Sequence, residues 1–311
     1  MTPPPFGDTL AARVAERESQ VVLGLDPDPS SLWPVEAGSL EGGGPLGPVA
    51  AAVLGHCRAL VDATAPACVA VKLQLARFEL LGADGRAVME ELVAHARRSG
   101  LLVIADGKRG DIDVSARAYA DALIAGAETP FGRLEGLGAD LVTVNPLMGA
   151  DAVAPFVTAA RAAGAGVLVL VRTSNPGAAD VEELPLEGGG SVWERLATMV
   201  DGLGRAGVGE RGISDVGAVI GATAPGHLPR ARELMAHATF LLPGVGAQGG
   251  RVEDLAAAFA PGRAGGLVSA SRSIAEAHRS GRSEPRIAAR AEAERLREAA
   301  WRLSDRVRVE A

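Results

Sequence analysis

The stretch ADGKRGDI, residues 105–112, places two acidic and two basic side chains at the end of an apolar run. Asp106, Lys108 and Asp111 follow the spacing D-x-K-x-x-D. Of the 31 lysines and arginines in the chain, only Lys72 and Lys108 are lysines. A guanidinium does not give up its proton in proteins, whereas an ammonium can. The choice of lysine at this place therefore indicates a proton-transfer site.

Structural roles compete with this interpretation. Asp106 and Lys108 can form an exposed ion pair worth only about 0–1 kcal/mol, and Asp111 can cap the helix that follows. Neither role explains why lysine stands where the chain otherwise uses arginine. Lys72 lies in AVKLQ, near the end of the preceding predicted strand, so in a parallel barrel it becomes a neighbour of Asp106 and Lys108. Alternating charges at this distance hold one another ionised and in place.

A second group of residues has the chemistry of phosphate binding. LLPGVGAQGG, residues 241–250, is rich in glycine and contains Gln248, and SASRSI, residues 269–274, brings Arg272. A flexible turn explains the glycines alone, and a structural ion pair explains the arginine alone. Together, at the ends of two successive predicted strands, they favour a phosphate site, because backbone N–H groups and the arginine fork match phosphate oxygens.

The elements that must position these residues are eight apolar runs separated by segments of helical length. Near-continuous hydrophobicity is typical of parallel strands covered on both faces. The predicted strands are residues 21–26, 68–74, 101–108, 141–146, 167–174, 216–223, 239–245 and 266–273. Eight strand–helix units predict an α/β fold, a single (β/α)8 TIM barrel spanning residues 1–311. A doubly wound open sheet is the alternative.

Alternation along the third strand puts Asp106, Lys108 and Ile104 on one face, which points into a barrel. Two Gly- and Pro-rich loops, at about 27–48 and 175–190, follow strand ends, where barrel enzymes keep their active sites. The charged segment at about 285–307 has helical spacing and predicts a final helix on the outside of the barrel.

Composition excludes several classes of function. A net charge of −7 argues against a nucleic-acid partner, and no apolar run reaches the ~18 residues that span a membrane. The first residues lack a basic segment followed by an apolar one, so no secretory signal is predicted and a cytoplasmic location is expected. Two cysteines and five histidines show no metal-ligand spacing, so no metal site is expected.

With these motifs in this order, the sequence resembles the orotidine 5′-phosphate decarboxylase family, in its longer, bacterial-type branch. The resemblance runs from residue 21 to about 273. It is carried by Asp26 in LGLDPD, Lys72 in VKLQ, Asp106, Lys108, Asp111 and Ile112 in D-x-K-x-x-D-I, Ser174 in RTSNPG, Gln248 in PGVGAQGG, and Arg272 in SASRSI.

The resemblance implies decarboxylation of orotidine 5′-phosphate to UMP and CO2 in pyrimidine biosynthesis, without a cofactor. It implies that Lys108 protonates C6 within a tetrad with Asp106, Lys72 and Asp111. Asp106 would either repel the substrate carboxylate or order Lys108.

The implied substrate-binding residues are Asp26 for ribose, Ser174 for the pyrimidine edge, Gln248 and Arg272 for phosphate, and Ser115. A homodimer is implied, in which Asp111 and Ser115 reach the site of the neighbouring subunit.

The sequence departs from the family pattern at three positions. Asp113 stands where a small residue is usual, Ser115 replaces the commoner threonine, and Arg77 stands where an aromatic residue is frequent. None of these removes a charge from the tetrad. Two other functions stay open: a metal-dependent lyase acting on a sugar phosphate, and a catalytically silent barrel that binds a phosphate ligand.

Overall fold

Eight parallel strands form a closed barrel in the computed structural model, which describes residues 3–34, 46–281 and 283–310. The barrel strands are β1 (Val21–Leu25), β2 (Ala70–Gln74), β3 (Leu102–Arg109), β6 (Leu141–Val144), β7 (Gly166–Arg172), β8 (Val216–Ile220), β9 (Phe240–Pro243) and β10 (Gly266–Ala270). β1 pairs with both β2 and β10, so the sheet has no edge there. The (β/α)8 barrel is confirmed, and the open doubly wound sheet is excluded.

The α-helices surround this barrel. They are α1 (Phe6–Arg17), α2 (Pro48–Thr64), α3 (Leu75–Glu79), α4 (Ala83–Arg98), α5 (Asp113–Leu123), α6 (Ala150–Ala163), α7 (Val192–Gly204), α8 (Leu228–Leu234), α9 (Arg272–Ala275) and α10 (Pro285–Glu310). Local sequence signals set some of their ends. α7 begins with a capping box, in which Ser191 and Glu194 satisfy each other's backbone N–H groups.

The core has two parts, one between the strands and the helices and one inside the barrel. Val22, Ile104, Leu168 and Leu241 belong to the inner part, together with α1, whose apolar residues close the amino-terminal end of the barrel. Towards the carboxyl ends of the strands, the barrel interior is lined by buried polar side chains instead of apolar ones. The fold thus presents a polar, enclosed surface at the carboxyl ends of the strands, where barrels carry their sites.

Among the features that the sequence did not predict are α1 and a β-hairpin. The hairpin follows α5 and consists of β4 (Ala127–Thr129) and β5 (Gly132–Leu134), with the fully exposed Phe131 at its turn. Within the predicted loop at 175–190, residues Pro176–Asp180 form a short 3-10 helix. Of the predicted loop at about 27–48, residues 35–45 lie outside the described residues. In the described part of the chain, every helix is too short or too polar to cross a membrane.

Candidate active site

A cavity of about 490 Å³ opens at the carboxyl ends of the barrel strands. The sequence-predicted residues that line it are Asp26, Lys72, Asp106, Lys108, Ser174, Gln248 and Arg272. The apolar side chains of Leu170, Val219 and Leu241 line it as well. The cavity therefore contains a charged group (Asp26, Lys72, Asp106 and Lys108), a Gly-rich corner (the turn at 244–250 with Arg272) and an apolar wall.

Asp106 is the centre of the charged group. Its Oδ2 accepts a hydrogen bond from Lys72 Nζ at 2.8 Å, and its Oδ1 accepts one from Lys108 Nζ at 2.7 Å. Burial by itself raises the pKa of the Asp106 carboxyl, but attraction to the two ammonium groups outweighs burial and lowers the pKa from 3.8 to about 2. Asp106 is therefore ionised at neutral pH, and it holds both lysines of the chain.

Lys72 is buried, whereas Lys108 faces the cavity. Burial lowers the pKa of the Lys72 ammonium, but attraction to Asp106 and Asp26 outweighs this effect, so its pKa lies above 10.5. The Lys108 side chain is 43% exposed, against 6% for that of Lys72. The two lysines thus differ in access: one is a fixed internal charge, and the other can reach a bound molecule and the solvent.

Lys108 has an unusual backbone conformation, with φ of +47°. The pairing of β3 with β6 shifts in register between Ala105 and Arg109, so the regular pleat is interrupted around this residue. Regular alternation therefore does not hold at Lys108, although its Nζ does reach Asp106. Positive φ is uncommon for a residue with a side chain and is concentrated at functional sites.

Thr143 on β6 supports both charged residues, and sequence reasoning missed it. Its Oγ1 donates to Asp106 Oδ1 at 2.9 Å and accepts from the Lys108 backbone N–H at 2.9 Å. The side chain is almost completely buried. The available signal was a hydroxyl residue inside the apolar run LVTV, since a buried polar group requires hydrogen-bond partners.

Asp26, at the end of β1, completes the charged group on the other side of Lys72. Its Oδ1 lies 3.7 Å from Lys72 Nζ and has no hydrogen-bond partner among the described residues, although the atom is buried. Gln74 Oε1 lies 3.4 Å from the same ammonium. A hydroxyl group bound in the cavity can donate to Asp26 and satisfy this oxygen.

The Gly-rich corner lies between β9 and α9. Gly244, Gly246 and Gly249 have φ of +100°, +77° and +92°, values that side chains other than glycine rarely adopt. Gln248, within this turn, and Arg272, the first residue of α9, both line the cavity. The amide, the guanidinium and the turn therefore line one cavity, and their chemistry matches that of phosphate oxygens.

Ser174 lies on the loop after β7 and lines the same cavity, close to Gly244. Its carbonyl oxygen accepts from Thr223 Oγ1 at 3.0 Å. Gly221 makes this arrangement possible, because a Cβ there would lie 2.6 Å from Ser174 Cα. The backbone of Ser174 is thus packed closely against the end of β8.

Asp111 and Ser115 do not line the cavity of this chain. Asp111 Oδ1 accepts from the backbone N–H of Ile112, while α5 begins at Asp113 with Ile112 at its N-cap position and no side-chain cap. The helix-cap interpretation of Asp111 is therefore wrong. Ser115 is exposed on α5, beside the exposed side chains of Ile112 and Val114.

A second cavity, of about 340 Å³, adjoins the first and shares Asp26, Gln74 and Arg272 with it. His56 of α2 lines it, and its Nδ1 accepts from the backbone N–H of Trp33 at 3.0 Å. Burial lowers the pKa of His56 from 6.5 to about 4, so the ring is neutral at pH 7. This hydrogen bond fixes the start of the loop that follows β1.

The arrangement can stabilise a negative charge and deliver a proton to it. An ammonium group that faces the cavity, next to an ionised carboxylate, supplies both functions at one atom. Among residues 3–34, 46–281 and 283–310, no three His, Cys, Asp or Glu side chains are grouped as metal ligands.

Comparisons with known proteins agree with this description. Residues 19–284 match the model of the orotidine 5′-phosphate decarboxylase / HUMPS family. A protein of Rhodopirellula baltica named orotidine 5′-phosphate decarboxylase is 38% identical over 277 residues, covering 88% of this chain and 89% of its own. One of the same name from Deinococcus radiodurans is 39% identical over 272 residues, covering 87% of this chain and 89% of its own.

Solved structures show the same likeness. The structure of Leishmania donovani OMP decarboxylase superposes with a TM-score of 0.70 and is 30% identical in sequence. The match covers 96% of this chain and 99% of that one.

Proposed function

The chain belongs to the orotidine 5′-phosphate decarboxylase / HUMPS family, and from that premise we propose that it converts orotidine 5′-phosphate to UMP and CO2 in pyrimidine biosynthesis. The observation that carries the proposal is the pair of hydrogen bonds from Lys72 and Lys108 to the single carboxylate of Asp106, inside the cavity. A cation that faces the cavity beside a fixed anion suits a substrate that loses a carboxylate and develops a carbanion.

The two ends of the cavity suit the two ends of this substrate. Arg272, Gln248 and the Gly-rich turn would bind the phosphate, and Asp26 with Lys72 would bind the ribose hydroxyls. Ser174, which lines the same cavity as these residues, would contact the edge of the pyrimidine ring. Binding energy from the phosphate, remote from the reacting carbon, can then be used to orient the base.

In the proposed reaction the bond between C6 and its carboxylate breaks, CO2 leaves, and the electron pair stays at C6. The Lys108 ammonium stabilises this charge and donates a proton to C6, which gives UMP. The resulting amine regains a proton from solvent, to which the half-exposed side chain has access. Arginine could supply the charge but not the proton, which gives a reason for lysine at this position.

Asp106 has two effects on this step. It holds the Lys108 ammonium in place, and in the proposed complex its negative charge would lie beside the carboxylate that leaves. Thr143 fixes the Asp106 carboxylate, so the position of the charge does not depend on the two lysines alone. Asp111 would complete the tetrad from a second subunit.

The test is the ultraviolet absorbance change of orotidine 5′-phosphate on addition of the purified protein, with and without EDTA. We expect chelator-resistant loss of substrate. Lys108→Ala should abolish it, and Lys108→Arg should restore the charge but not the turnover. Arg117→Ala, which removes an exposed cation on α5, is the matched control and should keep full activity.

No absorbance change in the wild type would contradict the proposed reaction. Activity that disappears with EDTA would instead favour the metal-dependent lyase, for which sugar phosphates with Mg²⁺ are the substrates to assay.

We also propose that the active form is a homodimer in which Asp111 and Ser115 reach the partner's cavity. Their position outside the cavity of their own chain supports this, as do the exposed apolar side chains of Ile112, Val114 and Leu147 nearby in sequence or on the next loop. Large apolar side chains exposed together are typical of an interface.

Mixing two inactive variants tests this arrangement. Lys108→Ala and Asp111→Ala would each inactivate both sites of their own dimer. A mixed dimer would contain one intact site, because Lys108 of one subunit would meet Asp111 of the other. After unfolding and refolding together in equal amounts, about a quarter of wild-type activity should return. No recovery, with mixed dimers present, would place Asp111 in the site of its own chain.

A further inference from the structure

Glu182 lines the substrate cavity, but both of its carboxylate oxygens are engaged in hydrogen bonds within the protein. Its Oε2 accepts from the backbone N–H of Thr173 at 2.9 Å, and its Oε1 accepts from the Thr173 hydroxyl at 2.9 Å. Thr173 immediately precedes Ser174. One carboxylate therefore holds the backbone N–H and the hydroxyl of Thr173, the residue that precedes the one proposed to contact the pyrimidine.

The loop that carries Glu182 is tied to the end of β7 by a second carboxylate. Arg172 is buried, and its Nε and Nη2 donate to Glu183 Oε1 at 3.0 and 2.7 Å. Arg172 Nη1 also lies 3.7 Å from Glu182 Oε2, and His227 Nε2 lies 3.3 Å from Glu183 Oε1. The ion pairs anchor the loop. Glu182 accepts from both the backbone N–H and the hydroxyl of Thr173, and Asn175 Oδ1 lies 2.7 Å from the same hydroxyl.

Ser174 is also held on its other side. Thr223 Oγ1 donates to the Ser174 carbonyl at 3.0 Å, and Gly221 leaves no room for the backbone to move towards β8. Hydrogen bonds before and after Ser174 thus fix its position. A residue whose backbone is held in this way loses little conformational entropy when its side chain makes a contact with a ligand.

We propose that Glu182 is a positioning residue, which fixes Ser174 towards the pyrimidine edge through the backbone and hydroxyl of Thr173. This inference rests on the proposed function, because it deepens the role given there to Ser174. Glu182 does not contact the substrate in this account. It acts only through Ser174, so its effect must vanish when the Ser174 hydroxyl is absent.

A double-mutant cycle tests this dependence. Glu182→Ala, Ser174→Ala and the double variant are compared with the wild type by kcat/KM for orotidine 5′-phosphate and by the Kd of UMP. Glu182→Ala should lower kcat/KM about tenfold and weaken UMP binding to a similar extent, mainly through KM. In the Ser174→Ala background the same change should cost less than about twofold.

Two further variants separate positioning from loop folding. Glu182→Gln keeps an acceptor for the Thr173 N–H and should recover most of the loss. Glu187→Ala removes an exposed carboxylate from the same loop and should keep wild-type binding. Thermal unfolding of each variant shows whether the barrel itself is affected.

Equal losses from Glu182→Ala in both backgrounds would overturn the positioning role, and so would a loss in Glu187→Ala as large as in Glu182→Ala. The measurement of the Kd of UMP does not require the protein to turn over a substrate. A wild type that binds UMP but leaves orotidine 5′-phosphate unchanged would contradict the proposed reaction, while the binding cycle would still decide the role of Glu182. A wild type that binds no UMP would overturn both.

Discussion

Lys72 Nζ lies 2.8 Å from Asp106 Oδ2, across neighbouring strands β2 and β3, and both side chains are almost fully buried. The register explains the contact: Lys72 pairs with Ile104, and Asp106 lies two residues further along the same inward face. The other oxygen of Asp106 binds Lys108. The two lysines therefore form one electrostatic unit, and a change at Asp106 affects both.

Replacing Asp106 with asparagine should destabilise the free protein. The change removes the closer of the two carboxylates that pair with Lys72, leaving that buried ammonium with Asp26 at 3.7 Å. Breaking a buried ion pair by removal of one partner costs roughly 3 kcal/mol or more. Urea unfolding at pH 7 measures the loss. Asp113→Asn, an exposed change in the same segment, should alter stability by less than about 0.5 kcal/mol. An unchanged midpoint in Asp106→Asn would mean that burial cancels the ionic attraction.

The unfolding free energy should also depend on acid pH through Asp106. Its pKa is 3.8 in the unfolded chain and about 2 in the folded protein. The carboxylate therefore adds stability that is fully present above pH 3.8 and is lost as the pH falls towards 2. The expected contribution is about 2 kcal/mol. Unfolding measured at several pH values between 2 and 6 should show this component in the wild type and lack it in Asp106→Asn. Parallel pH profiles for the two proteins would contradict the prediction.

The barrel was predictable because parallel strands that are buried on both faces consist of nearly continuous apolar residues. The run LLVIADGK predicted a strand at residues 101–108, and β3 spans Leu102–Arg109. Glu182 was not predictable in this way. Glu182 lies nine residues after Thr173 on a loop. On a loop, no regular alternation or helical period indicates which way a side chain points.

The charged group was predictable in composition but not in geometry. The scarcity of lysine in the chain indicated a role for Lys72 and Lys108. The adjacency of the second and third strands predicted that the two side chains lie close together. The positive φ of Lys108 and the hydroxyl support of Thr143 depend on an irregular pairing of β3 with β6. Such irregularities arise from tertiary contacts, which regular alternation along a single strand cannot indicate.

Arg232 on α8 should be a large contributor to stability with no part in the reaction. Its buried guanidinium donates to the carbonyl oxygens of Met235, Ala238, Ala258 and Gly265 and lies 3.8 Å from the centre of the Phe240 ring. Arg232→Met would leave these acceptors unsatisfied and should cost roughly 3 kcal/mol or more in urea unfolding.

The neighbouring Arg230 provides the matched control for Arg232. It forms exposed ion pairs, so Arg230→Met should cost less than about 1 kcal/mol. Folded Arg232→Met protein should keep the wild-type kcat, because Arg232 does not line the cavity. Equal stabilities of the two variants would show that the buried contacts contribute little.

Gly221→Ala should weaken substrate binding more than it weakens the fold. The new Cβ would lie 2.6 Å from Ser174 Cα and 2.9 Å from Ser174 N, so the loop after β7 must move away from β8. Since Thr223 and Glu182 hold that loop from both sides, the displacement reaches the Ser174 side chain itself. Misplacement of a binding group by about 1 Å costs up to about a hundredfold. We expect the Kd of UMP and the KM of orotidine 5′-phosphate to rise at least about tenfold.

Gly226→Ala, whose Cβ would meet no atom within 4 Å, should bind as the wild type does. Wild-type binding by a folded Gly221→Ala protein would mean that the position of Ser174 does not govern recognition of the base.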